Sequence, residues 1–246
     1  MSHDRFHDSA GVPWEGRAFS QNQWSNDDGS CPPALAKALE GEVLLEEVVA
    51  ALRSQRLLVP LIAQLGEGEL GPNGLVVDKS ADLSIVAVGT PDGGSAIPAF
   101  SSVSAMSRWR SDARPVPVPV EKLALAAIAE GHNRIVLDPA SNSVVLRRPA
   151  LAHLAQNLPW TSPSNNPELK VLVAEAVEGF GEISACKLMD GDPHGDLSGA
   201  ELVLVLKLTP GLNQDQVKEL LGKFSTRLQG PRFLELVDSV AMRLVS

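Results

Sequence analysis

The densest run of ligand-type side chains is Asp190-Gly-Asp192-Pro-His194-Gly195-Asp196-Leu-Ser198-Gly-Ala-Glu201. Laid on a calcium-binding loop, it puts Asp at positions one and three, Gly at six, Ser at nine and Glu at twelve. Position four is Pro193 and position five is His194, where that loop prefers Asp or Asn. A calcium hand also needs a helix on each side, so that its last carboxylate swings in as a bidentate ligand. Here two expected strands flank the run, and the plainer expectation is a solvated acidic hairpin loop. Gly66-Glu-Gly68-Glu-Leu-Gly71 has the spacing of a dinucleotide fingerprint, whose glycines bring a helix N-terminus up to a pyrophosphate. Pro72-Asn73-Gly74 prevents a helix from following, and the two glutamates would repel phosphate. A loop between strands is the expectation there.

Nucleophile and metal signals are thin. Ser101 and Ser102 follow Phe100 without a Gly-x-Ser-x-Gly elbow, and Ser102 reads as the N-cap of a short helix. Cys186 sits in an apolar strand, where a thiol acts as a small hydrophobe. Cys31 precedes two prolines and is expected to be exposed. The five histidines, His3, His7, His132, His153 and His194, form no pair at zinc spacing on an expected helix; His3 and His7 are four apart in a segment not expected to be helical. No catalytic, cofactor or metal residues are therefore assigned. The remaining candidates are interaction residues. Phe100 and Trp109 form an aromatic corner. Arg108, Arg110 and Arg114 surround Trp109, and Arg147-Arg148 precedes Pro149. Were the arginines to converge, they would suit a small anion or an acidic peptide; otherwise they form a solvated rim.

Composition narrows the partners. The 246 residues are 44% hydrophobic and 21% charged, which is globular composition. The formal net charge of -9 is spread along the chain and no basic cluster occurs, which argues against nucleic acid. The start, Met-Ser-His-Asp-Arg-Phe-His-Asp, lacks the pattern of a signal peptide, and no apolar run approaches the ~18 residues of a membrane span. A cytoplasmic protein without a membrane partner is expected.

The elements that would carry these residues form two small mixed α/β domains of α+β class. Each is a mixed or antiparallel sheet packed by helices. Residues 1–33, with Phe6, Trp14, Phe19 and Trp24, read as a flexible, disordered arm. In the first domain, 34–158, helices are expected over 34–39, 42–54, 102–109, 121–130 and 150–157. Strands are expected over 57–63, on both sides of the Asp92-Gly93 turn, at 134–138 and at 144–146. Pro60, and Pro115, Pro117 and Pro119 in an extended segment over 114–120, mark edge strands. Residues 159–167 read as a linker. The second domain, 168–246, reads helix, strand, strand, helix, strand (αββαβ), with helices on one face of the sheet.

Leu57-Leu-Val-Pro-Leu-Ile, the turn Ala99-Phe100-Ser101-Ser102 with Trp109, and Val136-Leu-Asp-Pro-Ala-Ser141 together resemble the SseB N-terminal domain. The C-terminal region resembles, on weaker motifs, the domain that follows in two-domain members. The resemblance covers about residues 34–245. It implies a protein of the enhanced-serine-sensitivity type, a name to which no established enzymatic activity belongs. A secretion-translocon protein shares the name but relies on membrane-inserting or coiled-coil segments, which this chain lacks. The expected function is a non-enzymatic module binding an unknown protein or peptide through the aromatic arm, the proline-marked edges or the Phe100/Trp109 corner. The alternative is a sensor of a small anion or amino-acid-related ligand using the arginines. An enzyme stands third.

Overall fold

The computed structural model describes Trp24, residues 26–62 and residues 86–245. The Gly66–Gly71 run, the His3/His7 pair, Phe6, Trp14 and Phe19 lie outside these residues.

Proline placement organises the first domain. Strand β1 (Arg56–Leu61) pairs antiparallel with β4 (Arg114–Pro119), with Leu58 opposite Pro117 and Pro60 opposite Pro115. Backbone groups of successive strand residues point to alternate sides. The Leu58 N–H donates to the Phe100 carbonyl, away from β4, whereas the Val120 N–H donates to Gln55 on the β1 side. Pro60, Pro115, Pro117 and Pro119 therefore all occupy positions whose missing N–H would have faced away from the partner strand. The ribbon loses no internal donor. Its outer β4 edge, however, offers carbonyls and no N–H groups at 115, 117 and 119, so it is a poor template for strand addition. The other side of β1 is bridged by Phe100. The expectation that these two edges are docking sites is corrected accordingly.

Beside the ribbon lies a four-stranded sheet in the order β2 (Val88–Gly89), β3 (Ser95–Ala99), β5 (Arg134–Leu137), β6 (Val144–Arg147). Strands β3 and β5 run parallel and the other pairs antiparallel. Asp92-Gly93 makes the expected turn: Gly93 has φ 82°, and the Thr90 N–H donates to Gly94 at 3.0 Å. Helices α1 (Pro33–Ala38), α2 (Leu45–Leu52), α4 (Val120–Ala129) and α5 (Arg148–Ala155) cover the core built on Leu35, Val48, Leu52, Ile97, Leu123, Leu146 and Leu151. Helix α2 starts at Leu45 rather than at the expected Glu42. The Leu45 N–H is met by the Pro193 carbonyl of the second domain, which supplies an N-terminal partner that the sequence lacks locally. A short helix α3 (Val103–Trp109) follows Ser102, whose Oγ accepts from the Ala105 N–H as an N-cap should.

The second domain is α6 (Pro167–Val177), β7 (Ile183–Asp190), β8 (Leu202–Leu208), α7 (Gln214–Leu228), α8 (Pro231–Leu236) and β9 (Val240–Val245). The order is thus αββααβ, with α8 added to the expected arrangement. Pro231 and the short length of α8 hid it in the sequence; proline is well placed at a helix start. Helix α7 is set by a capping box between Asn213 and Gln216. The sheet runs β7-β8-β9, with β9 parallel to β8. Leu202, Leu204 and Leu206 point at the helices and are fully buried against Leu169, Phe224 and Phe233.

Candidate functional site

The Phe100 corner is a packing joint. Phe100 is fully buried, 5.3 Å from the Trp109 ring, on Leu58 and Met106. It cannot touch a partner, and Trp109 is half-buried. Ser101 donates its N–H (2.9 Å) and its hydroxyl (2.6 Å) to the Asp138 carboxylate. Burial pushes the Asp138 carboxyl upward against those two bonds and the more distant Arg108. Ser101 is 4% and Asp138 6% exposed, so no substrate reaches the hydroxyl, and the pair ties the end of β3 to the end of β5. Cys31 is half-buried against the core rather than exposed, and burial pushes its thiol up, away from nucleophilic thiolate. Arg56, buried at the start of β1, binds the Asp27 carboxylate bidentately and the Ser30 and Ser101 carbonyls. The last residues before α1 are thus docked on the domain. Arg56 escaped the sequence reading; its signal was a lone charge abutting an unbroken apolar strand.

The arginines do not converge. Arg110 pairs with nearby Asp112, and Arg108 donates to Ser104, both at the surface. Arg147 lies at the opposite end of β6 and is 3% exposed. Its guanidinium donates to Asp192 (2.5 Å), the Gly199 carbonyl (2.8 Å), Ser239 (2.9 Å) and Asp238 (3.3 Å), all in the second domain. Arg134 also reaches Asp238, at 3.5 Å, and Arg148 the Leu234 carbonyl. The first domain therefore presents three arginines, and the second supplies carboxylates, carbonyls and a hydroxyl that accept from them.

The acidic loop is part of the same seam rather than a solvated hairpin. Asp192 accepts from the Asp196 and Leu197 N–H groups besides Arg147. Gly195, at φ 67°, presents its carbonyl to the Val145 N–H, and His194 bonds the Val43 carbonyl. Asp190 accepts twice from Ser164. The side chains that would be calcium ligands one, three and twelve hold three separate joints, and no group of three or more acidic, His or Cys side chains suited to a metal occurs among the described residues. The proline- and serine-rich stretch 159–167 is packed as well: Trp160 is buried in the first core, and the Ser162 N–H donates to Glu46.

The open surface lies on the second domain. Cross-strand register puts Met189, Val203 and Ala241 in one row, Lys187, Val205 and Arg243 in the next, and Ala185, Lys207 and Val245 in a third. All nine face away from the helices and are half-buried or exposed. The face carries three basic residues and no acidic one. At its edge, β9 pairs only with β8 among the described residues. The Ser239 carbonyl accepts from Leu202, so by alternation the backbone groups of Val240, Met242 and Leu244 point outward. Val240 and Leu244 are 39% and 44% exposed.

With this geometry established, the first domain can be placed. Residues 33–153 match the family described as SseB protein N-terminal domain. The match takes in β1, the Phe100 turn, Trp109 and the Asp138 turn, the same segments on which the resemblance was read. It stops before the second domain, which rests on its own architecture. No curated protein and no solved structure matches the chain. Among the described residues, no helix is long and apolar enough to cross a membrane.

Proposed function

We propose that this chain is a non-enzymatic, cytoplasmic binding protein of SseB type whose second domain takes up an extended, acidic segment of a partner protein by strand addition to β9. The carrying observation is the coincidence of an open edge with a basic, partly apolar face. Val240, Met242 and Leu244 supply outward N–H and C=O groups, and Lys187, Lys207 and Arg243 lie on the adjoining face of a chain whose net charge is -9. Main-chain bonds to an edge give affinity, and side chains on the sheet face give selectivity. Charge pairing at such an exposed face weakens with salt.

Leu244→Pro is the discriminating variant. Residue 244 has an exposed side chain and an outward N–H, so proline blocks the edge without cutting the ladder to β8. Co-purified partners should be lost with Leu244→Pro and with Lys187→Glu/Arg243→Glu, and should elute early in salt from the unaltered protein. A partner set that is unchanged in both variants refutes the reading.

A further inference from the structure

We propose that the cavity between the two domains binds a small organic cation, a primary ammonium on a compact apolar body, with Glu201 as its counter-ion. The cavity measures about 150 Å³ and is walled on its apolar side by Leu44, Leu45, Trp160, Pro163 and Pro193. An apolar cavity of roughly that volume holds a benzene-sized body. Every charged residue on the polar side is acidic: Glu46, Asp190, Asp192 and Glu201 line it beside the neutral Ser162 and Asn165, and no Lys, Arg or His does.

Three of these carboxylates have partners of their own. Glu46 accepts from the Ser162 N–H, Asp190 from Ser164, and Asp192 from Arg147. Glu201 is different. Only 3% of it is exposed; its Oε2 accepts from the Asp238 N–H at 2.6 Å, and its Oε1 has no partner. A buried carboxylate oxygen without a donor is costly, and an ammonium supplies both the donor and the charge. Trp160 offers an indole to the same cation. The four carboxylates exclude an anion, and their dispersal on separate joints does not suit an inorganic metal. The charged groups around Glu201 are mostly negative. Burial, chiefly, and the negative charges of Asp238 and Asp190 raise its carboxyl to about 7, against the Asp238 N–H bond and Arg147. Glu46 and Asp192 line the same cavity. The site is separate from the β9 edge and does not depend on it.

The test is thermal unfolding of the full chain with benzylamine, benzyl alcohol or calcium chloride at pH 6 and pH 8. Benzylamine at about ten times its Kd should raise the midpoint by roughly 3–5 °C. The rise should be larger at pH 8, where Glu201 is ionised, and at pH 7 the calorimetric heat should depend on the buffer because binding releases a proton. Benzyl alcohol should leave the midpoint unmoved. Glu201→Gln should abolish the response. Leu44→Trp should abolish it too, by filling the mouth while leaving every carboxylate in place, and it decides the matter if Glu201→Gln does not fold. The proposal is overturned by no shift with benzylamine, by an equal shift with benzyl alcohol, by a response to calcium alone, or by full benzylamine binding in Leu44→Trp.

Discussion

Replacing Arg147 with Met should uncouple the two domains. The Arg147 and Asp192 side chains are 3% and 1% exposed, and their closest nitrogen and oxygen are 2.5 Å apart. Removing one partner of such a buried pair leaves the other charged in a poorly solvated place, which costs about 3–5 kcal/mol. Two features push the value toward the low end. Asp192 keeps the N–H groups of Asp196 and Leu197, at 3.0 and 3.1 Å, and Met fills most of the vacated volume. Working the other way, the Gly199 carbonyl and the Ser239 hydroxyl each lose a charged donor. A loss of about 3–4 kcal/mol is expected, close to the worth of the broken pair. The assay is urea unfolding followed by tryptophan fluorescence, with Arg147→Met, Asp192→Asn and the double variant closing a cycle. Coupling above about 1 kcal/mol and a split of one transition into two are expected. A loss below about 1 kcal/mol with a single unchanged transition would show that the seam is held by apolar contact and that the ion pair is incidental.

Three further outcomes are expected. Glu201 has a folded pKa of about 7 against an ordinary 4.5, so its charged form is disfavoured in the fold. The resulting stability is complete below about pH 4.5 and is lost as pH rises through 7. The full swing is about 3 kcal/mol, so Glu201→Gln should gain on the unaltered protein between pH 5 and pH 8 in denaturation curves, and a constant difference would contradict the assignment. Asp138→Ala should destabilise by about 2 kcal/mol, because it strands the buried Ser101 N–H and hydroxyl, with Asp138→Asn milder; equal melting of the two variants would argue against a hydrogen-bonding role. Gly191→Ala should lower the melting temperature clearly, since its Cβ would overlap the Ala200 carbonyl at the base of the acidic loop, whereas Gly181→Ala, with nothing near, should leave it within about 1 °C.

What could be read from the residues alone was whatever had a local cause. The Asp92-Gly93 turn, the Ser102 cap and the helix expected over 121–130 each obey rules spanning a few positions. The prolines at 60, 115, 117 and 119 announced a ribbon that is not central, although the side on which donors would be missing required the register. Long-range partners were not legible. Arg147 looked like a rim residue because its four acceptors lie 45–92 positions away. Asp190, Asp192 and Glu201 looked like a solvated loop because nothing in their own segment shows that the first domain packs against it. Helix α8 fell between a glycine and a strand, too short for periodicity to register.

The proline ribbon has a consequence for how the chain finds its fold. With prolines on every second position of β4, that strand has donors only on the side that faces β1. Shifting β4 by one residue would turn Pro115, Pro117 and Pro119 toward β1 and remove the donors that hold the pair together. Shifts by two keep the donors but move Val118 from its place opposite Leu57 at the core. The segment therefore works like a key cut on one edge: it enters in one orientation, seats at one depth, and offers newly made chains nothing to catch on.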